Sequence, residues 1–376
     1  MKPAPLHVAI DARVLGERGV GRYLSNLLAA LAGLPGPMRY TLFTLAKSRA
    51  ELAPRDPRFE VVSLGAVSPA LAEQWLIPRE AKRRGAQLIH YPDNSGAVRP
   101  GLPMVLSLHD GMWQRPLGEA LLHPSLRQRL QDAYRKLVCP RAAGAAARVI
   151  TVSEFSAREL DASLGLGRKL RVVPNGLDGG FKKPLPAALQ ARLLRGLGLR
   201  RPFVFCSGAA DRRKNISALI RAFAASSLKH ADLVVSSMRP GELAATDYAQ
   251  AAREAGVEGR VKFLGFVSED ELKALYQGAL AYAFPSLWEG FGLPVLEAYA
   301  MGCPVLCSTA GALPEVAGKG AVFMDPQDLA SMTRGLEKVA SQKRSLMAAK
   351  GRRELKRFSW KAAAMQTLAA YREVLA

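Results

Sequence analysis

The chain has 376 residues, 49% hydrophobic and 23% charged, a globular balance that excludes a disordered or fibrous protein. That length exceeds one ordinary core, so two domains are expected. A formal net charge of +21 points to an anionic partner: a membrane surface, nucleic acid or a phosphorylated substrate. Basic residues that only decorate solvated faces give the same total.

No apolar run approaches the ~18 residues that suggest a membrane-spanning helix. The opening stretch, MKPAPLHVAIDA, enters a strand-like run without the apolar core and cleavage site of a secretory signal, so a cytosolic chain is expected. The cysteines are Cys139, Cys206, Cys303 and Cys307. Cys206 sits in an apolar run, and the spacing of Cys303 and Cys307, without a second pair or nearby His, is a poor zinc signature. No metal and no cofactor are expected.

In chain order the strand-like runs of the first half are HVAIDA, YTLFTL, FEVVSL, QLIHY, MVLSLHD, ARVITVS and KLRVVP. Those of the second half are FVFCSG, ADLVVSS, RVKFLGF, LAYAFPS, PVLCST and AVFMD. Helical patterns lie between them, as in GRYLSNLLAALAG, where Leu24, Leu27, Leu28 and Leu31 share a face and Gly33 ends the pattern. Strand and helix alternating twice over imply an α/β chain of two doubly wound parallel-sheet domains. The Gly-, Pro- and Lys-rich stretch GLDGGFKKPLP marks the junction. The expected partition is 1–178, a linker at 179–186, 187–356, and a final helix at 357–376. In such sheets ligands lie beyond the carboxyl ends of the strands, and the space between two such domains is the expected site.

Each loop after a strand is therefore informative. Gly19 and Gly21 permit close backbone approach at a helix start, but Leu24 occupies the third position of a dinucleotide fingerprint; a plain glycine turn explains the same residues. His109 and Asp110 end a strand, where a neutral imidazole can donate to a hydroxyl or phosphate. Asp110 fits an N-cap, a base or an orienter alike. Ser153 and Ser156 both suit a helix cap. Arg212, Arg213 and Lys214 put three cations at a helix start, which opposes the helix dipole and suggests an anion such as a diphosphate; a solvated charge cluster is the plainer explanation. Ser268 and Glu271 form a capping box, which accounts for the acids Glu269, Asp270 and Glu271 without a metal.

PSLWEGFGLPVLEAYAMG poses the sharpest question. Pro294 suits the first position of a helix, so backbone N–H groups of Gly290 to Leu293 and the helix dipole favour an anion there. Yet Glu289 and Glu297 flank it. The chain contains no Asp-x-Asp, no Walker loop, no nucleophile elbow and no His-Glu-x-x-His.

Together these features resemble the family-4 retaining glycosyltransferases of the GT-B fold, two Rossmann-like domains facing each other across a cleft. The segment from FPSLWEGFG to VFMDP resembles their E-x7-E signature, and GVGRYLSNLLAAL, SLHDGM, VITVSEFSARELD, RVVPNGLD, SGAADRRKNISALIRAF and VKFLGFVSEDELKALYQGAL follow in the family's order. The resemblance spans nearly the whole chain and is strongest toward bacterial mannosyltransferases of O-antigen and exopolysaccharide assembly; rhamnosyl- and N-acetylhexosaminyltransferases share much of it.

It implies metal-independent transfer of a hexose, with GDP-mannose the first donor to test, to a lipid-linked or saccharide acceptor. By resemblance Glu297 binds the donor ribose and Glu289 the hydroxyls of the transferred sugar. The amides of Gly290, Phe291, Gly292 and Leu293, with Lys214 and Arg213, hold the diphosphate, and Gly265, Phe266 and Val267 meet the base. Gly19, Gly21 and His109 face the sugar and phosphates from the first domain, and His109, Asp110, Lys214 and Glu289 are the residues expected to act in transfer. Many members carry Arg where this chain has Ala209, which leaves Arg212 or Arg213 to supply that charge. Retention is explained in this family by same-face attack, with the leaving phosphate helping to deprotonate the acceptor. The basic segment from Arg127 to Arg148 suits peripheral contact with an anionic inner membrane. No nucleic acid is expected, because the aromatic strands or recognition helices of such binders are missing.

Overall fold

The computed structural model describes residues 6–17, 19–45, 53–120, 124–208, 211–238, 241, 243 and 246–376. Ala209 lies outside the described residues. Two compact units emerge: 1–115, 126–176 and 359–376 form the first, and 116–125 with 177–358 the second.

The first unit holds a seven-stranded parallel sheet in the order β3-β2-β1-β4-β5-β6-β7. Its strands are β1 (Leu6–Asp11), β2 (Met38–Thr44), β3 (Phe59–Ser63), β4 (Leu88–Tyr91), β5 (Met104–Ser107), β6 (Arg148–Thr151) and β7 (Leu170–Val172). The second unit holds a six-stranded parallel sheet in the order β10-β9-β8-β11-β12-β13. These strands are β8 (Phe203–Ser207), β9 (Asp232–Ser236), β10 (Val261–Phe263), β11 (Ala281–Phe284), β12 (Val305–Ser308) and β13 (Val322–Met324). Every strand-like run of the sequence became a strand. The reason is physical: strands covered on both faces by helices need continuous apolar runs, and β4, β5, β8 and β12 are buried over nearly their whole length.

In the first unit α1 (Val20–Ala32) buries Leu24, Leu27, Leu28 and Leu31, as its periodicity predicts. Exposed α2 (Leu126–Ala145) and α3 (Glu154–Leu164) follow, the latter capped by Ser153, whose hydroxyl accepts from the Ser156 N–H. The last helix, α8 (Trp360–Leu375), belongs to this unit. Its Trp360, Ala363, Ala364, Leu368 and Tyr371 share one core with α1 and β1. Gly176 makes that return possible: a Cβ there would lie 2.2 Å from the Trp360 nitrogen.

In the second unit α4 (Ile216–Ala225), α5 (Glu269–Gly278), α6 (Leu293–Ala300) and α7 (Leu329–Ser341) cover the sheet. The capping box of Ser268 and Glu271 forms at α5, with both reciprocal bonds present. Strand order reverses between β1 and β4 in one sheet and between β8 and β11 in the other, and an open parallel sheet parts its loops at such a point to leave a crevice.

Candidate functional site

In the second unit the loops at that reversal are tied to each other by backbone and side chain. After β8 the chain runs through Asp211 into a short turn, Arg212–Lys214, and then Asn215, whose φ of 55° lets it turn into α4. The three cations thus precede the helix rather than occupy its first turn. The electrostatic conflict read from the sequence is relieved locally. Asp211 accepts from the Arg213 backbone and Nε, each at 3.0 Å, and its second oxygen pairs with the same guanidinium. Arg212 is exposed, whereas Arg213 is held by Asp211.

The loop after β11 meets this turn. The Leu287 N–H donates to the Arg213 carbonyl at 2.7 Å, and Asn215 Nδ2 donates to the carbonyls of Pro285 and Pro326. Lys214 Nζ lies 2.6 Å from Glu289 Oε1 and 5.3 Å from the centroid of the Phe284 ring. Burial alone would push the Glu289 carboxyl up; attraction and hydrogen bonding from Lys214 outweigh it and hold the group below the usual carboxylate range.

Gly292, with φ 110°, is the N-cap of α6 and, as a glycine, offers no side chain to cap it. Pro294 is the second helical residue, not the first as the sequence suggested, because the left-handed turn at Gly292 already starts the helix at Leu293. Either position leaves its missing N–H without cost. From the loop after the next strand, β12, the Ala312 N–H donates to the Glu289 carbonyl at 2.9 Å. Gly311 (φ 64°) permits this approach: a Cβ there would lie 2.5 Å from the Glu289 carbonyl oxygen.

Glu297, on α6, has a different environment from Glu289. It is 3% exposed, and its Oε2 accepts from the Tyr276 hydroxyl at 3.0 Å. Tyr276 is one of a cluster of rings with Phe205 and Tyr282, the latter bonded to Ser207 at 2.6 Å. The Gly265–Val267 turn sits at the end of β10, anchored where the Ser237 N–H donates to the Gly265 carbonyl; Phe266 is 45% exposed. Arg213, Lys214, Glu289 and the Gly290–Leu293 turn are therefore one assembly, with Glu297 buried on the helix that follows.

In the first unit Gly19 (φ 67°) is the N-cap of α1, and Gly21 is required by sterics, since a Cβ there would lie 2.4 Å from the Val14 carbonyl oxygen. His109 follows β5. Its backbone N–H donates to Asn94 Oδ1, and its Nε2 lies 2.8 Å from the Pro92 carbonyl oxygen. Asp110 accepts from the Met112 N–H at 3.0 Å and so stabilises the turn that follows it.

Sequence reasoning missed Asn215, Tyr276 and Gly311. A glycine in the loop directly after β12 was a usable signal for Gly311; nothing local flagged the other two.

The family model described as Glycosyltransferase Family 4 matches residues 18–179, and Glycosyl transferases group 1 matches 195–356. The O-antigen chain mannosyltransferase B of Escherichia coli is 34% identical over 171 residues, 44% of each chain. An MMP alpha-(1->4)-mannosyltransferase of Mycolicibacterium hassiacum is 31% identical over 237 residues, 61% of this chain and 54% of that one. The matches thus span about half the length of these curated relatives. Among solved structures, Anabaena HepE in complex with UDP and glucose superposes with a TM-score of 0.75 at 18% identity, covering 98% of this chain and 100% of that one. That likeness fixes the fold as GT-B.

Proposed function

The chain belongs to the glycosyltransferases, and from that premise we propose that it transfers a hexose, with retention, from a nucleotide-sugar to a saccharide or lipid-linked acceptor of bacterial surface polysaccharide. Mannose from GDP-mannose is the donor we favour, because the curated relatives above are named as mannosyltransferases. The observation that carries the reading is the 2.6 Å contact of Lys214 with Glu289 beside the glycine-capped amino end of α6 at the strand-order reversal.

An ammonium has three N–H donors, so a diphosphate can share Lys214 with Glu289. The charge that builds on the leaving phosphate then falls on Lys214, on Arg213 and on the amides of Gly290 to Leu293. Glu289, kept ionised, accepts from hydroxyls of the sugar, and Glu297 accepts from the ribose. Gly265 to Val267 line the base. On this reading the donor is activated by protein cations and amides, and no step is assigned to a metal.

A melting-shift panel of GDP-, UDP-, ADP- and dTDP-sugars tests it. The matching donor at 100 times its Kd adds roughly 2.7 kcal/mol to stability. Equal, negligible shifts across the panel would overturn the nucleotide-sugar assignment.

We further propose that α2 meets an anionic membrane. Leu126, Leu130 and Leu137 are 72%, 63% and 55% exposed and, at spacings of four and seven, share one helical face. Exposed Arg127, Arg129, Lys136 and Arg141 flank them. Half-exposed Trp75 is adjacent, because neighbouring Gln74 bonds Tyr134 of α2 at 3.0 Å. No helix among the described residues is long and apolar enough to cross a membrane.

A further inference from the structure

His109 is fixed on several sides within the first unit. Its Nε2 faces the Pro92 carbonyl at 2.8 Å. A carbonyl only accepts, so Nε2 carries a proton, and of the two neutral tautomers this contact selects the one that leaves Nδ1 as a hydrogen-bond acceptor. Tyr23 meets this ring edge-on, with centroids 4.6 Å apart and planes at 84°. Edge-to-face pairs fix relative orientation and add modest stability.

Tyr23 is in turn anchored by buried groups. Its hydroxyl lies 3.2 Å from Ser107 Oγ, which lies 2.9 Å from His90 Nε2, while His90 Nδ1 lies 2.7 Å from the Tyr371 hydroxyl. Trp360 adds a second ring against Tyr23 at 5.8 Å. Burial holds His90 neutral, with one N–H and one lone pair. Tyr23 and Tyr371 keep their protons for the same reason. In one arrangement Tyr23 donates to Ser107, Ser107 to His90, and His90 to Tyr371; in the other every bond is reversed. Both satisfy each of these contacts, so the relay is complete whichever way it runs.

We propose that Tyr23 is a positioning residue for His109, tied through Ser107 and His90 to Tyr371 of the last helix, and that His109 meets its ligand through Nδ1 as an acceptor. An acceptor suits a sugar hydroxyl and disfavours a phosphate oxygen. This replaces the sequence expectation of a donating imidazole. It rests on the reading that His109 faces the donor sugar, and it adds the atom and the support.

Imidazole 15N–1H spectra, with His109 identified through His109→Gln, test the geometry without turnover. The expected wild-type ring is the Nε2–H tautomer, with its signals moved in Tyr23→Leu and, less so, in Tyr23→Phe. An Nδ1–H tautomer in the wild type, or unmoved signals in both variants, would overturn the proposal. Turnover is read as nucleoside diphosphate release from the sugar nucleotide giving the largest melting shift. Tyr23→Leu is expected to lose roughly tenfold or more in kcat with donor KM little changed, as small misplacements near a reacting centre do. The same substitution is expected to add almost nothing in a His109→Ala background, because both act through one ring. Full additivity would mark Tyr23 as a packing residue and sink the positioning role. Undiminished turnover in His109→Ala alone would instead remove the parent reading, and the ligand assignment with it.

Discussion

Lys214 keeps Glu289 charged in surroundings that would otherwise neutralise it, and this makes the pair separable by experiment. A carboxylate whose folded pKa is lowered contributes stability above its unfolded pKa, and that contribution is lost as pH falls through the folded value. In Lys214→Ala the two largest effects opposing burial are lost and Arg213 remains, so the carboxyl rises and its charge at neutral pH costs more than in the wild type. In denaturant melts the destabilisation of Lys214→Ala relative to the wild type is expected to shrink on acidification from about pH 7 toward the carboxylate range, the His90 contribution being common to both. In the same variant turnover should fall more than donor affinity, because leaving-group charge peaks in the transition state. Equal losses in both would remove the catalytic role. Glu297→Ala is expected to weaken nucleoside diphosphate binding by about 1–3 kcal/mol, measured by calorimetry, as for the loss of one or two hydrogen bonds to a buried ribose. Lys214, Glu289 and Glu297 stand out in the sequence as candidates because each lies in a loop after a strand or on the helix that follows, where chemistry-bearing residues contrast with apolar runs. Tyr276 was not, since its bond to Glu297 joins residues 21 apart that only the packing of α5 against α6 brings together.

The strands and α1 were equally legible at the scale of elements, because parallel sheets and amphipathic helices write their burial into the sequence. The conformational details were not. The π-helical turn at Ala72–Leu76 places Glu73 where Arg13, Ser95 and Tyr134 reach its carboxylate, an arrangement without a local sequence signature. The docking of α8 was read from resemblance alone; the structure gives its cause in the aromatic core around Trp360 and Tyr371 and in the buried bond from Tyr371 to His90. That bond carries a pH dependence. Burial lowers His90 to about 3 from 6.5. The unfolded chain therefore binds a proton below 6.5 that the folded chain refuses until about 3. Stability from this residue is fully present above about pH 6.5 and declines as pH falls toward 3, by up to roughly 5 kcal/mol. His90→Gln is expected to be less stable at pH 7.5 and to show a shallower loss between pH 6.5 and 4.5, followed by denaturant melts. An unchanged acid limb would show that His90 is already solvated.

At the scale of the whole molecule, +21 charges are not needed to bind one diphosphate, and most lie far in sequence from Lys214. The sequence alone could not separate a solvated basic surface from a docking face, because charge totals carry no information on what lies between the charges. The structure supplies it: on α2 Leu126, Leu130 and Leu137 are turned outward on one face flanked by the basic residues, an expensive exposure unless another apolar phase covers them. The two contributions predict different responses. Each basic residue near an anionic surface adds about 1 kcal/mol that salt screens, whereas a leucine entering the acyl boundary adds up to roughly 1.5–3 kcal/mol that salt leaves intact. Sedimentation with phosphatidylglycerol vesicles is therefore expected to fall steeply with salt in the wild type but to reach a plateau above zero. Leu130→Ser with Leu137→Ser should abolish the plateau while preserving the salt dependence. Arg127→Gln with Arg129→Gln should flatten the salt dependence while preserving the plateau. Salt-independent binding in the wild type, or a plateau that survives loss of both leucines, would remove α2 from the membrane and return the charge to the solvated surface.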